Sequence, residues 1–157
     1  MKLVSKLLLV MLLAALSACA TLPSPEEMKA SVKDYQLPKL PEDGKAIVYM
    51  VRPSALGGIV RFNVFVNDKQ ADSEMGYTRG NQYIYFNLEP GDHTILSKAE
   101  NWAETKVSAN AGDIIFIQQN PSMGIIMARN SLTIPPEYEG KYQVKNLGVG
   151  TIIKENL

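Results

Sequence analysis

Histidine, cysteine and tryptophan each occur once in the 157 residues, and 16 basic residues are balanced by 16 acidic ones. A single histidine, His93, excludes a multi-histidine metal centre and leaves one conventional general base near neutral pH. A single cysteine, Cys19, excludes an internal disulfide framework. Long apolar runs are also missing: the longest, residues 7–16, has ten residues, whereas a membrane-spanning helix needs about 20. The charge balance carries no excess of either sign for nucleic acid to read.

What is present is concentrated at the N-terminus. Lys2 and Lys6 precede the apolar run, and the small residues Ser17 and Ala18 follow it, the layout of an export signal. Export would leave Cys19 as a lone thiol in an oxidising compartment. The sequence Leu16-Ser17-Ala18-Cys19 resembles the lipobox of bacterial lipoproteins. That resemblance implies diacylation of Cys19, cleavage before it, and attachment of the mature chain to a membrane through lipid. Ala20, in place of an aspartate, resembles the pattern of lipoproteins sorted to the outer membrane, facing the periplasm. One acyl chain binds a membrane weakly and two or three hold it stably, at about 0.8 kcal/mol per buried CH₂.

Loss of residues 1–18 from the 157 leaves 139, enough for one domain and a short linker. Lys2 and Lys6 leave with the leader, so 14 basic residues face 16 acidic ones. A net charge of −2 gives no electrostatic footprint for nucleic acid or for an anionic lipid surface.

Residues 19–44 contain Pro23, Pro25, Pro38 and Pro41 and few large apolar side chains, and read as the lipidated N-terminus and a tether. Within them Ser24-Pro25-Glu26-Glu27 has the pattern of a capping box with proline at the first helical position, predicting a short helix over residues 25–34. From residue 45 the texture changes to short runs rich in Val, Ile, Tyr and Phe, separated by turn residues about every ten positions. Strands are predicted at 45–51, 62–66, 82–88, 93–99, 102–108 and 114–117, with one or two more at 125–127 and 131–134. Pro90-Gly91 joins the third and fourth of these as a hairpin. Beyond Pro135-Pro136 the tail is weakly patterned, with a helical turn and a last edge strand near 151–153. The absence of amphipathic helices between the strands predicts an all-β domain over 45–157, a compact antiparallel β-sandwich or small barrel.

Four motifs stand in order along this domain: Lys45-Ala46-Ile47-Val48-Tyr49 with Arg52-Pro53, Val64-Phe65-Val66-Asn67-Asp68-Lys69, Tyr83 with Leu88-Glu89-Pro90-Gly91-Asp92-His93, and Ala111-Gly112-Asp113. Over residues 44–120 the chain resembles a family of small bacterial lipoproteins that carry a domain of unknown function. The resemblance implies an all-β fold and an envelope location, and brings no catalytic residues with it.

A search for chemistry returns little. A catalytic His93 would need a nucleophile and an orienting acid, yet its neighbours Asp92 and Thr94 project to opposite sides of a strand, so the residue reads as part of a turn. Glu26-Glu27, Glu42-Asp43 and Glu137 with Glu139 could form a glycosidase-like pair only across a cleft, and read as solvated charge. Gly57-Gly58 lacks the lysine and helix of a phosphate loop. Tyr77, Tyr83, Tyr85 and Phe86 cluster in sequence, with Trp102 following. Large side chains fill small sandwiches, but exposed tyrosines also stack on sugars or peptides, which makes Tyr83 and Tyr85 the candidate partner surface.

The expectation is a non-enzymatic envelope lipoprotein, without metal or cofactor, whose domain binds another envelope protein or peptidoglycan. An enzyme of cell-wall or lipid metabolism and a carrier of a small apolar ligand are the alternatives.

Overall fold

The computed structural model describes residues 22–157. Cys19 and the leader lie outside the described residues. Two sheets of five strands face each other, so the domain is an all-β sandwich. The strands are β1 (Ala46–Arg52), β2 (Phe62–Val66), β3 (Glu74–Thr78), β4 (Gln82–Leu88), β5 (Gly91–Lys98), β6 (Trp102–Ala109), β7 (Ile114–Ser122), β8 (Arg129–Thr133), β9 (Gly148–Val149) and β10 (Thr151–Ile152). One sheet has the order β8-β7-β1-β4-β9 and the other β10-β3-β2-β5-β6. Among the described residues, two α-helices, α1 (Pro25–Val32) and α2 (Glu137–Asn146), and a 3-10 turn (Ala71–Ser73) complete the fold.

All seven residues of β1 are buried, because the strand is central and covered on both sides. Ala46, Val48 and Met50 face the second sheet and pack with Val64, Met75, Ile84, Phe86 and Ile95. Ile47, Tyr49 and Val51 face outward against Leu37, Phe116 and Val144 of α2. The space between the sheets is therefore filled by side chains.

The helix at the N-terminus forms as its local chemistry dictates. Ser24 accepts from the Glu27 amide at 3.3 Å and the Glu27 carboxylate accepts from the Ser24 amide at 2.8 Å, with Pro25 at the first helical position. Met28 and Val32 are its buried face. Lys29 lies over the Tyr138 ring at 5.0 Å, and Lys145 donates to the Ser31 carbonyl, so α1 rests on α2. The segment expected as a tether is thus docked from Ser24 onward.

The structure departs from the sequence expectation at five further points. The 82–88 and 93–99 strands are not a hairpin: β4 pairs with β1 and β9, β5 with β2 and β6, and Glu89-Pro90 carries the chain from one sheet to the other. A turn signal states that the chain reverses, not which sheet the next strand joins. The first sheet is mixed rather than purely antiparallel, since β7 runs parallel to β1 with Ile47 opposite Ile114 and β9 runs parallel to β4, whereas every pairing in the second is antiparallel. The chain crosses back from β6 and enters beside the start of β1, where Gly112 donates to the Lys45 carbonyl at 2.8 Å and Ile47 to Asp113 at 2.9 Å. β3, where Gly76 interrupts the apolar pattern, was not expected. Finally, the tail holds a full ten-residue helix, α2, and residues 125–127 form a loop instead of a strand.

Candidate functional site

The tyrosines singled out by the sequence come together, but inside the protein. Tyr83 and Tyr85 share one face of β4 and surround Tyr49, with ring centroids 6.0 and 5.7 Å from it, while Phe116 stacks on Tyr49 at 5.6 Å. Leu37 and Val144 cover this face. Tyr83 is 5% exposed, so it is a packing residue rather than a platform for a ligand, and only Tyr85 keeps a half-buried edge. Burial pushes the Tyr49 phenol well above its ordinary range. Its hydroxyl donates to the Lys39 carbonyl at 2.6 Å and accepts from the Lys39 amide at 2.9 Å.

His93 stands at the start of β5 with both ring nitrogens engaged. Nε2 lies 2.8 Å from the Glu89 carbonyl, an acceptor only, so Nε2 carries the proton. Nδ1 then accepts from the Asn67 side-chain amide at 3.3 Å, whose orientation is fixed by the Thr94 amide donating to Asn67 Oδ1 at 3.1 Å. Asn67 has φ 68°, a left-handed conformation that asparagine tolerates. The imidazole thus pins two turns. Among the described residues, no group of three or more His, Cys, Asp or Glu is placed to hold a metal ion.

The most elaborated region is the end of the sandwich where β1 and β7 finish. Arg52 is fully buried. Its guanidinium donates to the carbonyls of Val60, Gly57 and Leu56 at 2.7, 2.8 and 3.0 Å and lies 3.6 Å from the centre of the Phe62 ring. Burial lowers its pKa to about 10, still charged at neutral pH. Gly57-Gly58 belongs to a loop held by this cation. Beneath it a polar bridge joins the two sheets: Thr78 donates to Gln119 at 2.5 Å and Gln119 donates to Ser97 at 2.8 Å.

Above the bridge, residues 123–128 lean on the β5–β6 turn. The Glu100 carboxylate accepts from the amides of Ile125, Ile126 and Met127 at 3.1, 2.7 and 2.8 Å, and these three bonds hold its pKa down at about 2. Arg129 lies 3.6 Å from the same carboxylate. Asn101 and Asn130 exchange side-chain and main-chain hydrogen bonds at 2.8 and 2.9 Å. With its amides turned inward onto Glu100, the loop turns its side chains outward: Met123 is 82% exposed, Ile125 92% and Ile126 87%. Gly124 admits this fold, since a Cβ there would lie 2.0 Å from the Met127 carbonyl oxygen. The 54–60 loop adjoins it, a Cβ on Gly57 lying 2.6 Å from that of Ala128, and adds exposed Ile59 and Leu56. The sequence reading missed this tip. Its only signal is an apolar triplet set between Pro121-Ser122-Met123-Gly124 and Arg129, a run without alternation.

Residues 42–131, from the approach to β1 into β8, match the family described as protein of unknown function (DUF2846). The chain belongs to this family. It is also 27% identical over 138 residues to an uncharacterized protein of Haemophilus influenzae, across 85% of this chain and 77% of that protein. The matched family region includes β1, Arg52, His93, Glu100 and the 123–127 tip, and stops before α2.

Proposed function

We propose that this member of the family is a lipid-anchored envelope protein, acylated at Cys19 and non-catalytic, whose β domain works by binding at a membrane surface. The observation that carries the reading is the Leu16-Ser17-Ala18-Cys19 box placed directly ahead of the folded chain. The first helix of the described residues is capped by Ser24. An extended chain spans at most 3.3–3.6 Å per residue, so Ser24 would stand within roughly 18 Å of the lipidated cysteine. The domain would then be held against the bilayer by a short leash rather than presented on a long strut.

The interior supports binding over the alternatives. A carrier of an apolar ligand needs a cavity between the sheets, where Val48, Met50, Phe86 and Ile117 are packed. A hydrolase needs a base with an orienting acid, and both His93 nitrogens face turn groups instead. The outer membrane, facing the periplasm, is the location that Ala20 favours, and another envelope protein or peptidoglycan is the partner class for the domain's remaining surface.

Fractionation tests the reading. Wild-type protein should stay with membranes through alkaline carbonate washes and leave only in detergent, while the Cys19→Ser protein should leave in the wash. A Cys19→Ser protein that still requires detergent contradicts it.

A further inference from the structure

The two ends of the sandwich differ in charge, which the near-neutral total conceals. At the tip end, the 53–61, 79–81, 99–101 and 123–129 segments hold Arg61, Arg79 and Arg129 against the single carboxylate of Glu100, itself occupied by three amides. At the opposite end, the 40–45, 89–92 and 110–113 turns hold Glu42, Asp43, Glu89, Asp92 and Asp113 against Lys45. Lys45 lies 3.5 Å from Glu42 and 3.4 Å from Glu89. Those turns are brought together by the main-chain bonds from Gly112 to Lys45 and from Ile47 to Asp113.

The cationic end is also the apolar end. Met123, Ile125, Ile126 and Ile59 are each more than 80% exposed. Isolated apolar side chains on a surface need no account, but a contiguous exposed group marks a contact site. This group is prebuilt: Glu100 fixes the backbone and Gly124 permits the bend, so little ordering cost would remain on binding. At the same end of the sandwich Arg61 and Arg79 lie over Tyr77 of β3, their guanidinium groups 4.5 and 5.4 Å from the ring centre.

We propose that this end docks on an anionic phospholipid bilayer, with Met123, Ile125, Ile126 and Ile59 entering the acyl boundary and Arg61, Arg79 and Arg129 meeting headgroup phosphates. Exposed apolar side chains and arginines gathered at one end match the two layers of such a surface. The choice of a bilayer as the occupant rests on the lipid-anchor reading: the Ser24 cap stands five residues after Cys19, which holds the anchored domain close to lipid. A second attachment point would fix the orientation of the domain, turning its acidic end away from the membrane.

The chain has one tryptophan, which makes a direct test available. Ile126→Trp in a Trp102→Phe background places a single indole at the tip, at a position 87% exposed. The acylated full chain is mixed with vesicles of phosphatidylcholine alone, or with phosphatidylglycerol added, some carrying brominated acyl chains. The expected result is blue-shifted emission quenched by bromine in the anionic vesicles. Arg61→Gln with Arg79→Gln should lose anionic preference by roughly fivefold per charge. An indole that stays in water while the protein floats with the vesicles overturns the proposal and leaves the lipid anchor standing. The same measurement on Cys19→Ser chain reads the tip without the anchor. A blue shift that depends on protein concentration without lipid assigns the tip to a second copy of this chain and also overturns the proposal.

Discussion

The Tyr49 hydroxyl and the main chain of Lys39 exchange two hydrogen bonds, the phenol donating at 2.6 Å and accepting at 2.9 Å. Through them the most central strand of the sandwich grips the segment that leads from α1. Lys39 also pairs with Glu155 at 3.0 Å, and Asn87 accepts from the Glu42 amide and donates to the Glu155 carbonyl, both at 3.2 Å. Both termini of the described chain are thus fastened to the sheet that bears β1.

Tyr49→Phe should therefore loosen the N-terminal segment with little change to the core. The substitution keeps the ring and removes one donor and one acceptor, leaving two main-chain groups unpaired in a half-buried site, at a cost of about 1–3 kcal/mol. Denaturant unfolding measures the cost. Limited proteolysis between residues 33 and 44 should become faster in the variant.

Glu100→Gln should release the tip. An amide offers one acceptor oxygen where the carboxylate offers two charged ones, and charge-assisted bonds are the stronger kind. Hydrogen exchange at the amides of Ile125, Ile126 and Met127 should accelerate by roughly tenfold or more. Equal protection in wild type and variant would show that Glu100 does not hold the loop.

The same carboxylate predicts an acid sensitivity. Its pKa is held at about 2 in the fold against an ordinary value of 4.5. A carboxyl depressed in the folded state contributes stability in full above its unfolded pKa and loses it as pH falls through the folded one. Tip protection should be constant above about pH 5 and decline between pH 4.5 and 2, and in Glu100→Gln this pH dependence should vanish.

Arg52→Lys should cost about 2–4 kcal/mol, because one ammonium cannot meet the three carbonyls that the planar guanidinium serves, nor stack flat on Phe62. Thermal unfolding reports the loss. Exchange in the 54–60 loop should rise with it.

Gly140→Ala should destabilise the fold by a different route. A Cβ there would lie 2.1 Å from the Phe116 ring, so α2 must lift from the sheet. Overpacking of this kind costs about 1–3 kcal/mol, occasionally more, and the variant should show reduced protection in α1 as well, since α1 rests on α2.

Local chemistry was legible in the sequence. The capping box at Ser24 and Glu27 is complete within four residues, and β1 announces itself because both its faces are apolar. The sandwich class followed from strand spacing, and His93 lies at the start of β5 with its ring bonded to the adjoining turns. Pairing was less legible: Leu88 and Ile95 both face the shared core, yet nothing near Pro90 states that the chain changes sheets between them. Residues 125–127 were misread as a strand because the groups that satisfy their amides belong to Glu100, about 25 positions away. Tyr83 was misjudged for a similar reason, its cover coming from Leu37 and α2. Charge separation between the two ends is invisible to a total, since it arises only when Arg61, Arg79 and Arg129 are folded to one end.

The intact mass and N-terminal sequence of the protein taken from its native membrane test the central claim most directly. The account predicts a chain that begins at Cys19 and carries acyl groups on that residue. A chain that retains residues 1–18, or begins elsewhere, or carries no lipid on Cys19, would contradict it.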